Sequence, residues 1–122
     1  MKKVLIADDA SFMRQMIRDI IEPEGWEVVG EASDGVDVVD KFKKLHPDVV
    51  MMDIVMPKRS GIDAVKAIKA EDPGARVVMC SALGQEALVT EAIQAGASDF
   101  IVKPFKPDAV LATLRKVVEK AE

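Results

Sequence analysis

The chain contains no tyrosine, one tryptophan, four phenylalanines, one histidine and one cysteine among its 122 residues. So few aromatics argue against recognition by stacking on bases or sugars, and a hydrophobic content of 49% must then supply a largely aliphatic core. A single cysteine cannot close an intramolecular disulfide. The first residues also lack the charged, apolar and small-residue pattern of a cleavable leader, so a reducing cytoplasm is the expected compartment. No apolar run approaches membrane-spanning length. Positive charge is not in excess: 17 Lys and Arg against 21 Asp and Glu give −4, which argues against affinity for a nucleic-acid backbone. Any phosphate handled here must be bound locally. No linker, low-complexity tract or internal repeat interrupts the sequence, and the length fits one domain spanning 1–122, with no second output domain expected. Size scaling gives a folded surface of roughly 6,400 Å² against roughly 19,300 Å² unfolded, enough burial for a core without staples.

Short aliphatic runs alternate with segments of helical period. Val4-Leu5-Ile6-Ala7 reads as a strand buried on both faces, stopping at Asp8-Asp9. Phe12, Met13, Met16, Ile17, Ile20 and Ile21 then recur at helical spacing until Pro23 and Gly25. A strand over Trp26 to Ala32, a turn at Ser33-Asp34-Gly35 and a helix from Val36 to Leu45 follow, the helix presenting Val38, Val39, Phe42 and Leu45. Asp48 to Asp53 makes the third strand and Ile62 to Ala70 the third helix; Arg76 to Cys80 makes the fourth strand, ending at Ser81, and Glu86 to Ala95 the fourth helix, closed by Gly96. Phe100 to Val102 is the fifth strand. Pro107 to about Lys120 is the last helix, with Asp108 near its positive end and Lys116 and Lys120 near its negative end. Strict alternation implies right-handed crossovers and a parallel sheet covered on both faces, a three-layer α/β sandwich. Periodicity alone does not order the strands.

The polar residues gather at strand ends: Asp8 and Asp9 after the first, Asp53 after the third, Ser81 after the fourth and Lys103 after the fifth. In an open parallel sheet those carboxyl ends share one edge, and ligands bind where the strand order reverses. Three adjacent carboxylates repel one another and call for a cation. Oxygen donors without histidine or cysteine favour Mg²⁺ or Mn²⁺ over zinc. Such a site suits phosphoryl chemistry, in which a carboxylate is itself the nucleophile and becomes an aspartyl phosphate. Lys103 would then balance charge on the transferring group and Ser81 would donate a hydrogen bond to it. Taken singly, Asp8 or Asp9 reads as a helix cap, Asp53 as a loop residue, Ser81 as a turn residue and Lys103 as a surface charge. Recurrence at four strand ends defeats these readings together. Cys80 reads as an inert core thiol, His46 as a surface residue, Met51, Met52 and Met56 as core filling, and Lys41, Lys43 and Lys44 as a weak basic patch on a solvated helix face.

With those residues in place, the chain resembles the receiver domain of two-component response regulators, and within it the stand-alone chemotaxis regulators of the CheY type. The match runs from Val4-Leu5-Ile6-Ala7-Asp8-Asp9 through Met52-Asp53-Ile54-Val55-Met56-Pro57 with Gly61, and Cys80-Ser81-Ala82. It ends with Ala95-Gly96-Ala97 and Phe100-Ile101-Val102-Lys103-Pro104-Phe105. The resemblance implies a doubly wound, flavodoxin-like sheet of order 2-1-3-4-5, the order of flavodoxin and CheY. It implies Asp53 as phosphoacceptor, taking phosphoryl from a CheA-type histidine kinase. Asp9, Asp53 and the carbonyl of Val55 would hold Mg²⁺ directly and Asp8 through water. Lys103 would pair with the phosphoryl group, next to a cis Lys103-Pro104 peptide. Ser81 would move toward the phosphoryl oxygens and Phe100 into the space it leaves, reshaping a partner face that includes Val89 and Ala97. The partners implied are the kinase, a flagellar motor switch protein or another protein target, and a phosphatase. This chain is expected to be a monomer that binds neither nucleic acid nor membrane, and not an enzyme beyond self-catalysed phosphoryl transfer and autodephosphorylation.

The family often carries Thr at the place of Ser81 and Tyr at that of Phe100, so one partner hydrogen bond is lost here. A dehalogenase-type phosphatase would need a second Asp two residues after its nucleophile, where Asp53 is followed by Ile54 and Val55. A flavodoxin would need a hydroxyl- and glycine-rich phosphate cradle where Asp8-Asp9 stands. A degenerate receiver is disfavoured by the full set Asp8, Asp9, Asp53, Ser81 and Lys103. The remaining alternative is a sporulation-type phosphorelay intermediate passing phosphoryl to a histidine phosphotransfer protein; similarity around Phe12-Met13-Arg14 and Ala82-Leu83-Gly84-Gln85 leans toward chemotaxis.

Overall fold

The computed structural model describes residues 2–119, so the expectation for Lys120 lies outside the described residues. Strands β1 (Lys3–Ala7), β2 (Glu27–Ala32), β3 (Val49–Asp53), β4 (Val77–Ser81) and β5 (Asp99–Val102) alternate with helices α1 (Ser11–Ile21), α2 (Gly35–Leu45), α3 (Gly61–Glu71), α4 (Glu86–Gln94) and α5 (Pro107–Glu119). The strands form one parallel sheet in the order β2-β1-β3-β4-β5. The accessible surface, 6185 Å², is close to the ~6,400 Å² expected for this mass.

Alternation of side chains along each strand explains the continuous apolar runs. Leu5, Ala7, Val50, Met52, Val77 and Met79 face one way, toward a core shared with Val38, Phe42, Val65 and Ile68 of α2 and α3. Val4, Ile6, Val49, Met51, Val78 and Cys80 face the other, toward Ile17 and Ile21 of α1 and Leu114 and Val117 of α5. The central strands β1, β3 and β4 are buried on both faces and so carry no alternation of polar and apolar residues, whereas the edge strands β2 and β5 are only partly covered.

Local chemistry sets the element ends. Asp34 caps α2, its carboxylate accepting from the amides of Val36 and Asp37 at 2.9 and 2.7 Å. Ser60 caps α3 through the Asp63 amide at 3.1 Å. His46 ends α2 in the left-handed region, with φ of 48°, and is exposed as expected. Trp26 lies outside β2 and seats in the α1 and α5 core.

Two expectations change. The stripe on α1 is only partly covered: Ile17 and Ile21 are buried, whereas Phe12 is 68% exposed and Met16 41%. The weak basic patch on α2 is diluted further, because Lys41 pairs with Asp37 at 3.1 Å and Lys43 with Glu71 at 3.8 Å.

Candidate functional site

Strands β2 and β3 lie on opposite sides of β1, so the chain reverses direction across the sheet between β1 and β3. Asp8 and Asp9 follow β1 and Asp53 ends β3, which places all three at the crevice such a reversal creates. One carboxylate oxygen from each lies within 4.8 Å of the others. Asp8 and Asp53 are buried and Asp9 is exposed.

Lys103 reaches this cluster from the β5 end. Its Nζ is 3.2 Å from Asp8 Oδ2 and 3.3 Å from Asp53 Oδ2, and its own amide donates to the Ser81 carbonyl at 2.7 Å. The Lys103-Pro104 peptide is cis, as the resemblance implied. Three carboxylates against one ammonium leave an excess of negative charge. Burial pushes the Asp53 carboxyl above its ordinary value; the Lys103 charge opposes this, the Asp8 charge adds to it, and the net direction is upward. Burial lowers Lys103, but the charges of Asp53 and Asp8 together outweigh it and hold the ammonium above its usual range. The donor set, all hard oxygen, fits Mg²⁺.

Neither Asp8 nor Asp9 caps α1. Ala10 occupies the cap position without a side-chain bond, and Asp8 Oδ1 instead accepts from the Ala10 amide at 2.9 Å. Asp8 is gripped throughout: its amide donates to Ala32 O at 3.0 Å and its carbonyl accepts from Arg14 Nη1 at 2.5 Å. Asp53 is supported from below by a close approach of α3. The Gly61 amide donates to Ile54 O at 2.7 Å, and a Cβ on Gly61 would stand 2.2 Å from the Asp53 carbonyl oxygen. Only glycine permits that packing.

Ser81 is buried at the end of β4 and shares a groove of about 430 Å³ with Leu83, Val89, Phe100 and Val102. Phe100 is 42% exposed at the mouth of this groove, and Val89 is half-buried beside it. Ala97 departs from expectation. It is buried among Ala92 and Val77 in the core beneath α4, because the left-handed turn at Gly96, with φ of 118°, directs the chain inward toward β5. It offers no side chain to a partner. Val55 follows Asp53 by two residues; its backbone favours the ionised Asp53 carboxylate slightly, and its side chain is exposed at the rim with Leu83.

Cys80 is buried beside the site and its thiol is pushed up to about 12 by burial, matching an inert core role. Met51, Met52 and Met56 are buried as expected. Sequence reasoning gave Arg14 and Glu31 no role at the site: the first entered only through the Phe12-Met13-Arg14 similarity and the second as part of a strand. The one signal available was a charged residue inside the otherwise apolar Val28-Val29-Gly30-Glu31-Ala32 run.

Comparison with known proteins gives concordant results. Residues 4–115 match the family described as the response regulator receiver domain. The chain is 58% identical over 116 residues to the chemotaxis protein CheY of Thermotoga maritima, covering 95% of this chain and 97% of that protein. It is 54% identical over 116 residues to the chemotaxis protein CheY of Bacillus subtilis, with the same coverage of each. A chain in the crystal structure of the CheX-CheY-BeF3-Mg²⁺ complex from Borrelia burgdorferi superposes with a TM-score of 0.90 at 40% identity, covering 95% of this chain and 88% of that one.

Proposed function

Since the chain belongs to the response regulator receiver domain family, we propose that Asp53 is its phosphoacceptor and that phosphorylation switches a protein-binding face in chemotaxis. It is a receiver of two-component signalling, homologous to CheY over nearly its whole length. The observation that carries the assignment of Asp53 is its position: a buried carboxylate at the switch point, within reach of Lys103 and of two further carboxylates. In the transfer, a carboxylate oxygen of Asp53 attacks phosphorus, the P–O bond forms as the P–N bond of a kinase phosphohistidine breaks, and the ring, already protonated on its other nitrogen, leaves as neutral imidazole.

Receiver domains bind Mg²⁺ through an acidic cluster, here Asp8, Asp9 and Asp53. When bound, the ion supplies positive charge against the transferring phosphoryl oxygens. Mn²⁺ would satisfy the same donors, and we assign the Val55 carbonyl as a further ligand. Lys103 holds its ammonium at the site throughout, and Ser81 donates its hydroxyl toward the transferred group. All chemistry is on the protein itself, so the 122 residues act as one receiver unit and not as a turnover enzyme.

The homologues point to protein partners such as a kinase and a phosphatase. Among such partners we propose a motor switch protein, seated on the α4 and β5 face that exposes Leu83, Ile93, Phe100 and Val102. Among the described residues no helix is long and apolar enough to cross a membrane, and the buried free thiol of Cys80 fits the reducing cytoplasm we propose. Relatives named for chemotaxis favour that circuit over a sporulation relay. Incubation with acetyl phosphate and Mg²⁺ followed by intact mass tests the central claim. The expected result is one added phosphoryl group, absent in Asp53→Ala and in the metal-free control; an unmodified wild-type mass overturns it.

A further inference from the structure

Asp9 is the least supported of the three site carboxylates. Asp8 is fixed by Ala10 and Lys103 and Asp53 by Lys103, whereas the exposed Asp9 side chain makes no hydrogen bond among the described residues. Its direction therefore depends on the backbone that carries it, and above all on the peptide plane joining Asp8 to Asp9. One side chain grips that plane. Arg14 Nη1 donates to the Asp8 carbonyl at 2.5 Å, while its Nε donates to Glu31 Oε1 at 2.7 Å. Glu31 in turn accepts from Arg18 Nε through its second oxygen at 2.5 Å, and its own carbonyl is held by Lys41. Both arginine contacts are partly buried, with Arg14 at 17% side-chain exposure.

From this arrangement we infer that Arg14, oriented by Glu31, is a positioning residue for the metal site, fixing the Asp8-Asp9 peptide so that the Asp9 carboxylate projects toward Asp53. The inference rests on the reading of Asp8, Asp9 and Asp53 as a Mg²⁺ site. Geometry is the operative property. Glu31 lies against the guanidinium and offsets its charge, so little net field reaches the carboxylates. The planar fork, with Nε and Nη1 donating to two different acceptors, is something a lysine ammonium cannot reproduce. Arg18 provides the internal control. It binds the same Glu31 and ties α1 to β2 in the same way, but it does not touch the Asp8 carbonyl.

Calorimetric titration of Mg²⁺ into the wild type, Arg14→Lys, Arg18→Lys and Glu31→Gln, with thermal unfolding of each in EDTA, tests this. Outer-shell groups of metal sites typically contribute 10- to 100-fold in affinity. Arg14→Lys is expected to weaken Mg²⁺ binding by about 10-fold, Glu31→Gln by severalfold, and Arg18→Lys by less than about twofold. Wild-type affinity in both Arg14→Lys and Glu31→Gln overturns the inference. Equal losses in Arg14→Lys and Arg18→Lys also overturn it, because they would show a shared tie between α1 and β2 and no specific hold on Asp9. A wild type that takes up no Mg²⁺ fails differently, removing the metal-site reading on which the inference stands.

Discussion

Asp53 carries a charge that the fold disfavours until a cation arrives. Burial raises its pKa above the ordinary carboxylate value despite Lys103 at 3.3 Å. A group whose pKa is higher in the folded than in the unfolded chain binds its proton more tightly when folded. Its stabilising contribution is complete below the unfolded pKa of about 3.9 and is lost as pH rises through the folded value. At pH 7 in EDTA the ionised side chain is therefore a cost, and Asp53→Asn is expected to unfold at a higher temperature than the wild type. The gap should narrow as pH falls toward the carboxylate range, and a less stable Asn variant at pH 7 in EDTA would contradict the sign. A second prediction concerns the rim. Val55 and Leu83 are 56% and 81% exposed beside the site and offer no group able to orient a hydrolytic water. The acyl phosphate on Asp53 should accordingly be long-lived, and Leu83→Glu should shorten it. Loss of phosphoryl measured over time decides; a half-life of seconds that Leu83→Glu leaves unchanged would count against this.

Helix α1 shows how an apolar stripe and a buried face differ. Six apolar residues recur at helical spacing, but α1 packs mainly against α5, β1 and β2, and those neighbours cover a narrower arc than the stripe presents. Ile17 and Ile21 reach the core, while Phe12 and Met16 extend past it toward Phe105 and Pro107. Adjacent residues should consequently respond in opposite ways. Ile17→Ala should cost about 2–5 kcal/mol, since a well-packed site cannot collapse around the void. Met16→Ser should change stability by no more than about 0.5 kcal/mol. Urea unfolding of the two variants checks the contrast, and comparable losses would mean that α1 seats more deeply than its contacts indicate. The loop before α3 illustrates the opposite case, in which one residue governs an element: Gly61 lets the helix start against the carbonyl of Asp53 itself.

At the scale of the whole molecule, two apolar layers clamp the sheet from either side, and its carboxyl edge concentrates charge that the layers cannot neutralise. Any ligand that binds only the folded state adds stability by mass action, about 2.7 kcal/mol at a free concentration 100 times its Kd. Mg²⁺ is expected to raise the unfolding temperature by several degrees, with most of the increase lost in Asp9→Asn. Scanning calorimetry with and without the ion measures this, and an increase retained in full by Asp9→Asn would place the ion elsewhere. This edge also adjoins the Ser81 and Phe100 groove, which is the route we propose from Asp53 to the α4 and β5 surface.

The sequence by itself determined which segments are strands and which are helices, because twice-buried strands and amphipathic helices leave different apolar periods. It also placed Asp8, Asp9, Asp53, Ser81 and Lys103 at strand ends, since each aliphatic run stops at a polar residue. Element ends differed mostly by a residue or so, as at Trp26, where packing against α1 and α5 outweighs strand pairing. Burial depended on neighbours distant in sequence, and so the exposure of Phe12 and Met16, the burial of Ala97 and the pairing of Lys43 with Glu71 were not legible. Strand order was not legible in the periodicity and entered through resemblance. The hold of Arg14 and Glu31 on the Asp8 carbonyl was invisible for a physical reason: it joins a helix to a strand 17 positions away through side-chain geometry that no local pattern encodes, and only the tertiary structure brings those atoms together.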